Sequence, residues 1–542
     1  MADATGKTAD KVAEVLVIGA GAAGAALSWR LASRGIGVTC LEQGDWTPPE
    51  TGPGDDPEWE RRRLSDWHPN PNRRQAVSDY PVDDSLSPFR PLMWNGVGGS
   101  TVLWSAHLPR MHPSDFRVRT LDGVADDWPL SYDELAPYYA LNERMMGVAG
   151  LAGNPAYPAE AMPRLPPAPL LAEEGGIAAT LDRLGWSWWP GDIGIATGPH
   201  APGRGVCRDC GPCEIGCHAR AKASVDVTYW PGALAAGARL ITGARVAEIP
   251  TDSRGRAIGA VWTDRRGRRH LTRAQAVVVA ANGVGTPRLL LLSASGRFPN
   301  GLANRSGLVG RRLMLHPLGR VIGRFDAPVG GHRGITAGAI VSHHFYETDI
   351  ARGFVRGIKL QVMRSNGPAL TALGGGGPRL PWGGGHHAAF LQRFDRTLSV
   401  SICSDDLPEP ENRVDLSNDL RDGDGLPAPR MIYRVGENTR RALDWGVKQA
   451  ETLLREAGTV ETQTVPLVRD AGFHLMGTAR LGRDPDSSVC DAYGRTHDVP
   501  NLFIADGALF VTAGAVNPTN TIQALALRLA DRIADTAREL SP

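Results

Sequence analysis

The stretch VLVIGAGAAGAALSWRLA, residues 15–32, decides the fold. Val15 to Ile18 make an apolar run of strand length, Gly19, Gly21 and Gly24 follow as a G-x-G-x-x-G turn, and Ala25 to Ser33 continue at helical spacing. Val38 to Leu41 supply a second apolar strand, closed by Glu42. Strand, glycine turn, helix and strand within about 30 residues predict a Rossmann-like unit. In such a unit the turn amides and the helix N-terminus face a pyrophosphate. Each glycine removes a Cβ that would block the turn, the phosphate or the helix packing. Glu42 stands 18 residues beyond Gly24, placed to accept from ribose hydroxyls and to repel a 2′-phosphate, which disfavours NADP. FAD, NAD and an unliganded structural turn all remain open on these residues alone.

Outward from this stretch, 542 residues leave room for two or three domains, and 59 basic against 58 acidic residues leave no charged stripe for nucleic acid. A small-molecule partner is expected. No window reaches the roughly 18 apolar residues of a membrane span. The segment Met1 to Glu14 is polar, with no apolar core of a signal peptide, so a cytoplasmic location is expected. Gly and Pro form about a fifth of the chain without a period, which predicts long ordered loops.

Residues 47–90 show no period and read as an irregular surface excursion. Ser131 followed by Glu134 marks a capping box that starts a helix. Ala276 to Ala280 form an apolar run suited to a strand buried on both faces. From about 310 to 470 the pattern changes to alternating segments (FVRGIKLQVM, LSVSICS, NRVDLS), as in an antiparallel sheet. The last 70 or so residues return to a strand at Asn501 to Ala505 and a long helix from Pro518.

Five ordered blocks resemble the glucose-methanol-choline (GMC) oxidoreductases, flavoenzymes that oxidise alcohols. They are residues 15–32 with Glu42; NGVGGSTVLW (95–104) with Arg110 and the Asp115-Phe116 pair; AANGVGTPRLLLLS (280–293); HLMGTARLG (474–482); and NLFIADGALF (501–510) with VNPTNTIQALALRLADRI (516–533). The resemblance implies an α/β Rossmann-like FAD-binding domain from residues 1–46, 91–120, 200–310 and 471–542. It implies an inserted α+β substrate domain, built on an antiparallel sheet, from residues 121–199 and 311–470. It also implies FAD, with Gly98, Gly99 and Ser100 beside the flavin and Asp506 and Gly507 near its ribityl and pyrophosphate groups. Pro518 and Thr519 would face it from the last helix. Some members tether the flavin through a histidine just before the tryptophan of this turn; Leu103 precedes Trp104 here, so non-covalent FAD is expected.

Alcohol oxidation needs a group that takes the hydroxyl proton as hydride leaves carbon, and a neutral imidazole suits this near pH 7. By resemblance His474 is that group and Asn517 donates to the substrate oxygen. On residues alone, Asn517 before Pro518 equally reads as a helix start, with Asn as N-cap and Pro at the first position. Ile522, Leu525, Leu529 and Ile533 give that helix a core-facing stripe.

Cys207, Cys210, Cys213 and Cys217 have the local spacing of bacterial ferredoxins, and Ala221-Lys222 follow as in some iron-sulfur GMC sugar dehydrogenases. An iron-sulfur cluster, a zinc site, and thiols or disulfides bracing a loop are the three readings. A cluster would favour dehydrogenase over oxidase, with a redox partner or oxygen as electron acceptor. His343-His344 and His386-His387 read as solvated loops, and the Gly-rich stretch before the second pair as a lid over the substrate. The resemblance implies a sugar, glycoside or aminoglycoside-type polyol, with a sterol as the alternative. The competing classes are a non-catalytic dinucleotide-fold binding protein and an NAD-dependent dehydrogenase.

Overall fold

A computed structural model describes residues 12–52, 56, 58–159, 164–211, 213–374 and 379–536. The polar start before residue 12 and glycines 375–377 of the lid stretch lie outside the described residues.

The strand Ala13–Ile18 lies at the centre of a parallel sheet, flanked by Val38–Leu41 and by Arg269–Val279, with Arg239–Ile241 beyond Val38–Leu41. The long strand Arg269–Val279 serves two partners. Its first half pairs antiparallel with Gly259–Thr263, and Val277 to Val279 pair in parallel with Leu502–Ile504 near the chain end. Residues 276–279 are fully buried because sheet neighbours and covering helices remove them from water on every side. The helix Ala22–Ser33 lies close on the sheet because its packing face is alanine and glycine. A Cβ on Gly24 would stand 1.9 Å from the Gly19 carbonyl oxygen.

A second, six-stranded sheet is antiparallel throughout. Its order is Glu461–Val465, Leu318–Arg324, Thr397–Ser404, Ile358–Met363, Ala337–Ser342 and Trp189–Pro190. Its alternation decides the site. Ile358, Leu360, Val362, Leu398, Val400 and Ile402 pack with Leu443, Leu453 and Leu454 of the helix Glu437–Glu456. Lys359, Gln361, Met363, Ser401 and Cys403 point the other way, into a cavity against the parallel sheet's loops.

Two expectations are corrected here. Residues 47–90 are not without elements. They hold helices Trp59–Arg63 and Pro71–Arg74, the latter capped by the Asn70 side chain, and a strand Asp83–Leu86 that pairs with Pro427–Ile432. Trp67 stacking on Trp94 at 5.3 Å and a buried Arg74 to Asp79 ion pair of 2.5 Å give this aperiodic stretch its order. His386-His387 open a helix, His386–Arg393, and His343 packs edge-on against the rings of His112 and Tyr346. The first pair does lie in a loop with His344 exposed, while the second, also on the surface, belongs to a helix. Among the described residues no helix is long and apolar enough to cross a membrane.

Candidate active site

A cavity of about 420 Å³ runs from the glycine turn to the antiparallel sheet. At one end Gly19, Gly21, Glu42, Ala244, Arg245 and Val246 line it; Gly99, Ser100, Asp506, Gly507, Pro518 and Thr519 line its middle. Gly19 has φ +104, and a Cβ there would meet the Ala280 oxygen at 2.5 Å. A Cβ on Gly99, where φ is +52, would stand 2.7 Å from Gly21 Cα, so the two glycine turns touch backbone to backbone. Gly24 and Gly98 stand behind the wall: Gly24 lets the helix meet the strand, and Gly98 donates its amide to Ala20 at 3.0 Å. Glu42 accepts from the amides of Ala20 at 2.8 Å and Gly44 at 2.9 Å, and burial raises its carboxyl pKa. Asp506 accepts from Thr286 Oγ1 and the Ala508 amide, and burial pushes it up to about 6.

At the far end His474, 8% exposed, places Nε2 3.3 Å from Asn517 Nδ2. Its Nδ1 faces His316 Nδ1 at 3.0 Å, and His316 Nε2 meets the Gly514 carbonyl. A carbonyl only accepts, so His316 carries its proton on Nε2 and offers Nδ1 as an acceptor. His474 therefore holds its proton on Nδ1 and keeps a lone pair on Nε2, facing the cavity. Burial lowers the His316 pKa to about 4 and places His474 well below its ordinary value, with the charges of His316, Lys359 and His107 adding to the second shift. At neutral pH this imidazole is an unprotonated base. His316 takes a left-handed backbone, φ +53, an uncommon state for a side-chain-bearing residue that turns its ring toward His474.

Asn517 is not the cap of the last helix. The helix runs Thr519–Asp535 with Pro518 at its N-cap, and the Asn517 amide reaches across to His474 and to Lys359, whose Nζ donates to Oδ1 at 2.5 Å. Ile522 lines the cavity, while Leu525, Leu529 and Ile533 are buried in the core.

The cysteine geometry gives the iron-sulfur reading of Cys207, Cys210, Cys213 and Cys217 no support. Among the described residues no three His, Cys, Asp or Glu side chains gather into a metal cage. Cys207 and Cys213 turn into an apolar cluster with Ala106, Ile193 and Ile335, where burial pushes the Cys213 thiol up to about 12. Lys222 holds the segment in place by donating to the carbonyls of Val102, Trp104 and Cys213 at 2.5 to 3.1 Å.

Sequence reasoning missed His316, Lys359 and His107. Lys359 and Gln361 alternate with Ile358, Leu360 and Val362, a pattern that marks a polar face without saying whether water or a site covers it. His316, amid an apolar stretch, carries no such signal. His107 is 2% exposed, and among the described residues neither ring nitrogen has a partner; the Nε1 atoms of Trp94 and Trp104, on the cavity wall, likewise have none among them. Orphaned donors in a dry wall fit a bound group of the flavin and substrate type.

Comparison with known proteins follows the same lines. Models of the GMC oxidoreductase N- and C-terminal domains match residues 192–318 and 408–526. The chain is 42% identical to 2-methyl-1,2-propanediol dehydrogenase of Mycolicibacterium austroafricanum, over 96% of this chain and 95% of that protein. It is 32% identical to paromamine 6′-oxidase of Streptomyces fradiae, over 97% and 92%. The crystal structure of pyridoxine 4-oxidase from Mesorbium loti shares the fold, with TM-score 0.65 and 17% identity over 96% of this chain and 99% of that one. Full-length identity at this level, on a fold that places a dinucleotide turn beside an antiparallel sheet, makes the chain an oxidoreductase of the GMC family.

Proposed function

We propose that this enzyme binds FAD non-covalently and oxidises one hydroxyl of a sugar-like polyol to a carbonyl. The FAD would be held by Gly19, Gly21 and Glu42 at its adenosine and pyrophosphate end. Gly99, Ser100, Asp506, Gly507 and Thr519 would hold it toward the ring, with Gly24 and Gly98 shaping the backbone behind. When bound, the flavin supplies the hydride acceptor. The rest belongs to the chain. His474 Nε2 takes the hydroxyl proton, Asn517 Nδ2 donates to the same oxygen and orients it, and His316 keeps the imidazole in the tautomer that accepts. Burial of the pair excludes water from the proton transfer. The observation that carries this reading is the 3.3 Å approach of the His474 and Asn517 nitrogens on the cavity wall.

The polyol preference is supported by the wall opposite the glycine turns, where Lys359, Gln361, Ser401 and His107 offer donors and acceptors to neighbouring hydroxyls. A sterol would leave these groups unpaired. A second reading, a small branched diol, is favoured by the name of the relative 42% identical to this chain; it too has a hydroxyl beside the oxidised one. We further propose the two-domain division given by the sequence, with residues 121–199 and 311–470 on the substrate side. Anaerobic flavin bleaching with glycosides, aminoglycosides, small vicinal diols and sterols tests the reading, and repetition in air identifies oxygen as acceptor or excludes it. Bleaching by sterols alone would overturn it.

A further inference from the structure

Lys359 is wholly buried in the cavity wall, 0% exposed, and among the described residues its ammonium meets no carboxylate; its hydrogen bond goes to Asn517 Oδ1 at 2.5 Å. An ammonium can only donate, so the Asn517 oxygen is committed to it. The amide nitrogen is then the end that faces His474 Nε2 and the space in front of it. The opposite end of the chain gives the same polarity independently: the Gly514 carbonyl sets His316, which sets His474. Proton donation therefore runs from Lys359 through Asn517 to the His474 lone pair, and from His474 Nδ1 through His316 to Gly514. A reversed amide would set its NH2 against the Lys359 ammonium and its oxygen against the His474 lone pair, two repulsive contacts in a dry site.

We infer that Lys359 is a positioning residue that holds the Asn517 carboxamide with its nitrogen toward His474 and the substrate oxygen. This rests on the reading of His474 and Asn517 as the pair that meets the hydroxyl. Lys359 also carries its charge beside the base. Burial lowers its pKa to about 8, and its field, with those of His316 and His107, disfavours protonation of His474; Cys403 and His343 are further titratable groups that feel its charge.

The test is a double-mutant cycle on the FAD-containing enzyme. Lys359→Met is expected to keep its flavin and lose about 10- to 100-fold in anaerobic flavin reduction, the cost of a misplaced catalytic group. Beside Asn517→Ala the same substitution is expected to cost nothing further, because the amide it orients is gone. The acid limb of the pH profile should also move to higher pH in Lys359→Met, since a cation is removed from beside His474. In enzyme labelled with 15N-asparagine, the Asn517 amide protons, assigned by their loss in Asn517→Ala, should exchange faster in Lys359→Met than in wild type. Should Lys359→Met not fold, Lys359→Gln, a shorter neutral donor, takes its place with a loss of about 3- to 10-fold, again absent beside Asn517→Ala. Additive losses in the cycle, or unchanged amide exchange, overturn the inference. Wild-type reduction rates in His474→Ala would instead overturn the catalytic reading, and leave the amide exchange result to stand for Lys359.

Discussion

The Nδ1 atoms of His316 and His474 face one another at 3.0 Å, so one proton lies between two ring nitrogens and belongs to His474. The Gly514 carbonyl on the far side of His316 leaves no other assignment. The arrangement resembles other sites in which a base is oriented by a hydrogen bond on its second nitrogen.

His474→Ala should fold and retain bound flavin, because the glycine turns and Glu42 proposed to hold the nucleotide lie at the other end of the cavity. Flavin reduction by substrate, followed by stopped flow, is expected to fall by roughly 10²- to 10⁴-fold. An unchanged rate would remove this imidazole from the chemistry.

His316→Leu leaves the His474 Nδ1 proton without a partner, and reduction is expected to slow by about tenfold for the loss of one orienting bond. It should also change the pH dependence of stability. His316 titrates near 6.5 unfolded and about 4 folded, so the unfolded chain binds more protons in that window. Its contribution is complete above pH 6.5 and is lost as pH falls toward 4, an amount of about 3 kcal/mol. Asp115 and Asp506, both raised to about 6, tilt stability the opposite way, so the difference between wild type and variant in urea unfolding cancels them and reads the His316 and His474 pair together.

Gly21→Ala and Gly24→Ala should fail differently. A Cβ on Gly21 meets nothing nearer than 3.7 Å, so the fold is expected to survive while the close approach of the pyrophosphate is blocked and flavin is lost. A Cβ on Gly24 enters the Gly19 carbonyl at 1.9 Å, so the helix must move off its strand at a cost of about 1–3 kcal/mol. Flavin content per folded protein, together with melting temperature, separates the two.

Arg356, 1% exposed, binds Asp115, Asp122 and Asp405 and stands three residues before Lys359. Arg356→Met would strand buried carboxylates at the root of that strand, with an expected loss of 3–5 kcal/mol, or about that order, in denaturant unfolding. The loss should shrink at low pH, as Asp115 protonates through about 6.

The nucleotide unit was legible because its signals are local. Four apolar residues, three glycines at fixed offsets and an acid after the next strand specify a conformation within one short segment. The capping box at Ser131 and Glu134 was legible for the same reason, and forms as read, with the Glu134 amide donating to Ser131 Oγ. The cysteines show the limit of spacing. Four thiols within eleven residues suit a cage on paper, yet an apolar pocket takes two of them while Lys222 occupies the surrounding carbonyls. Residues 47–90 were opaque because their order comes from contacts to distant residues, such as Trp67 on Trp94 and the Glu60 carboxylate on the Ala369 amide.

By itself the sequence determined the α/β nucleotide unit, the antiparallel alternation after residue 310 and the pairing of His474 with Asn517 by resemblance. Each depends on periodicity or short offsets, which short-range sterics and burial translate directly into structure. Only the tertiary structure decided that His316 and Lys359, each 158 residues from the partner it touches, complete that pair. Strand alternation separates two faces and cannot say which one meets water. Packing the helix Glu437–Glu456 on one face of the sheet left Lys359 on the other, and closure of that face over the cavity made a lysine of ordinary appearance a buried donor.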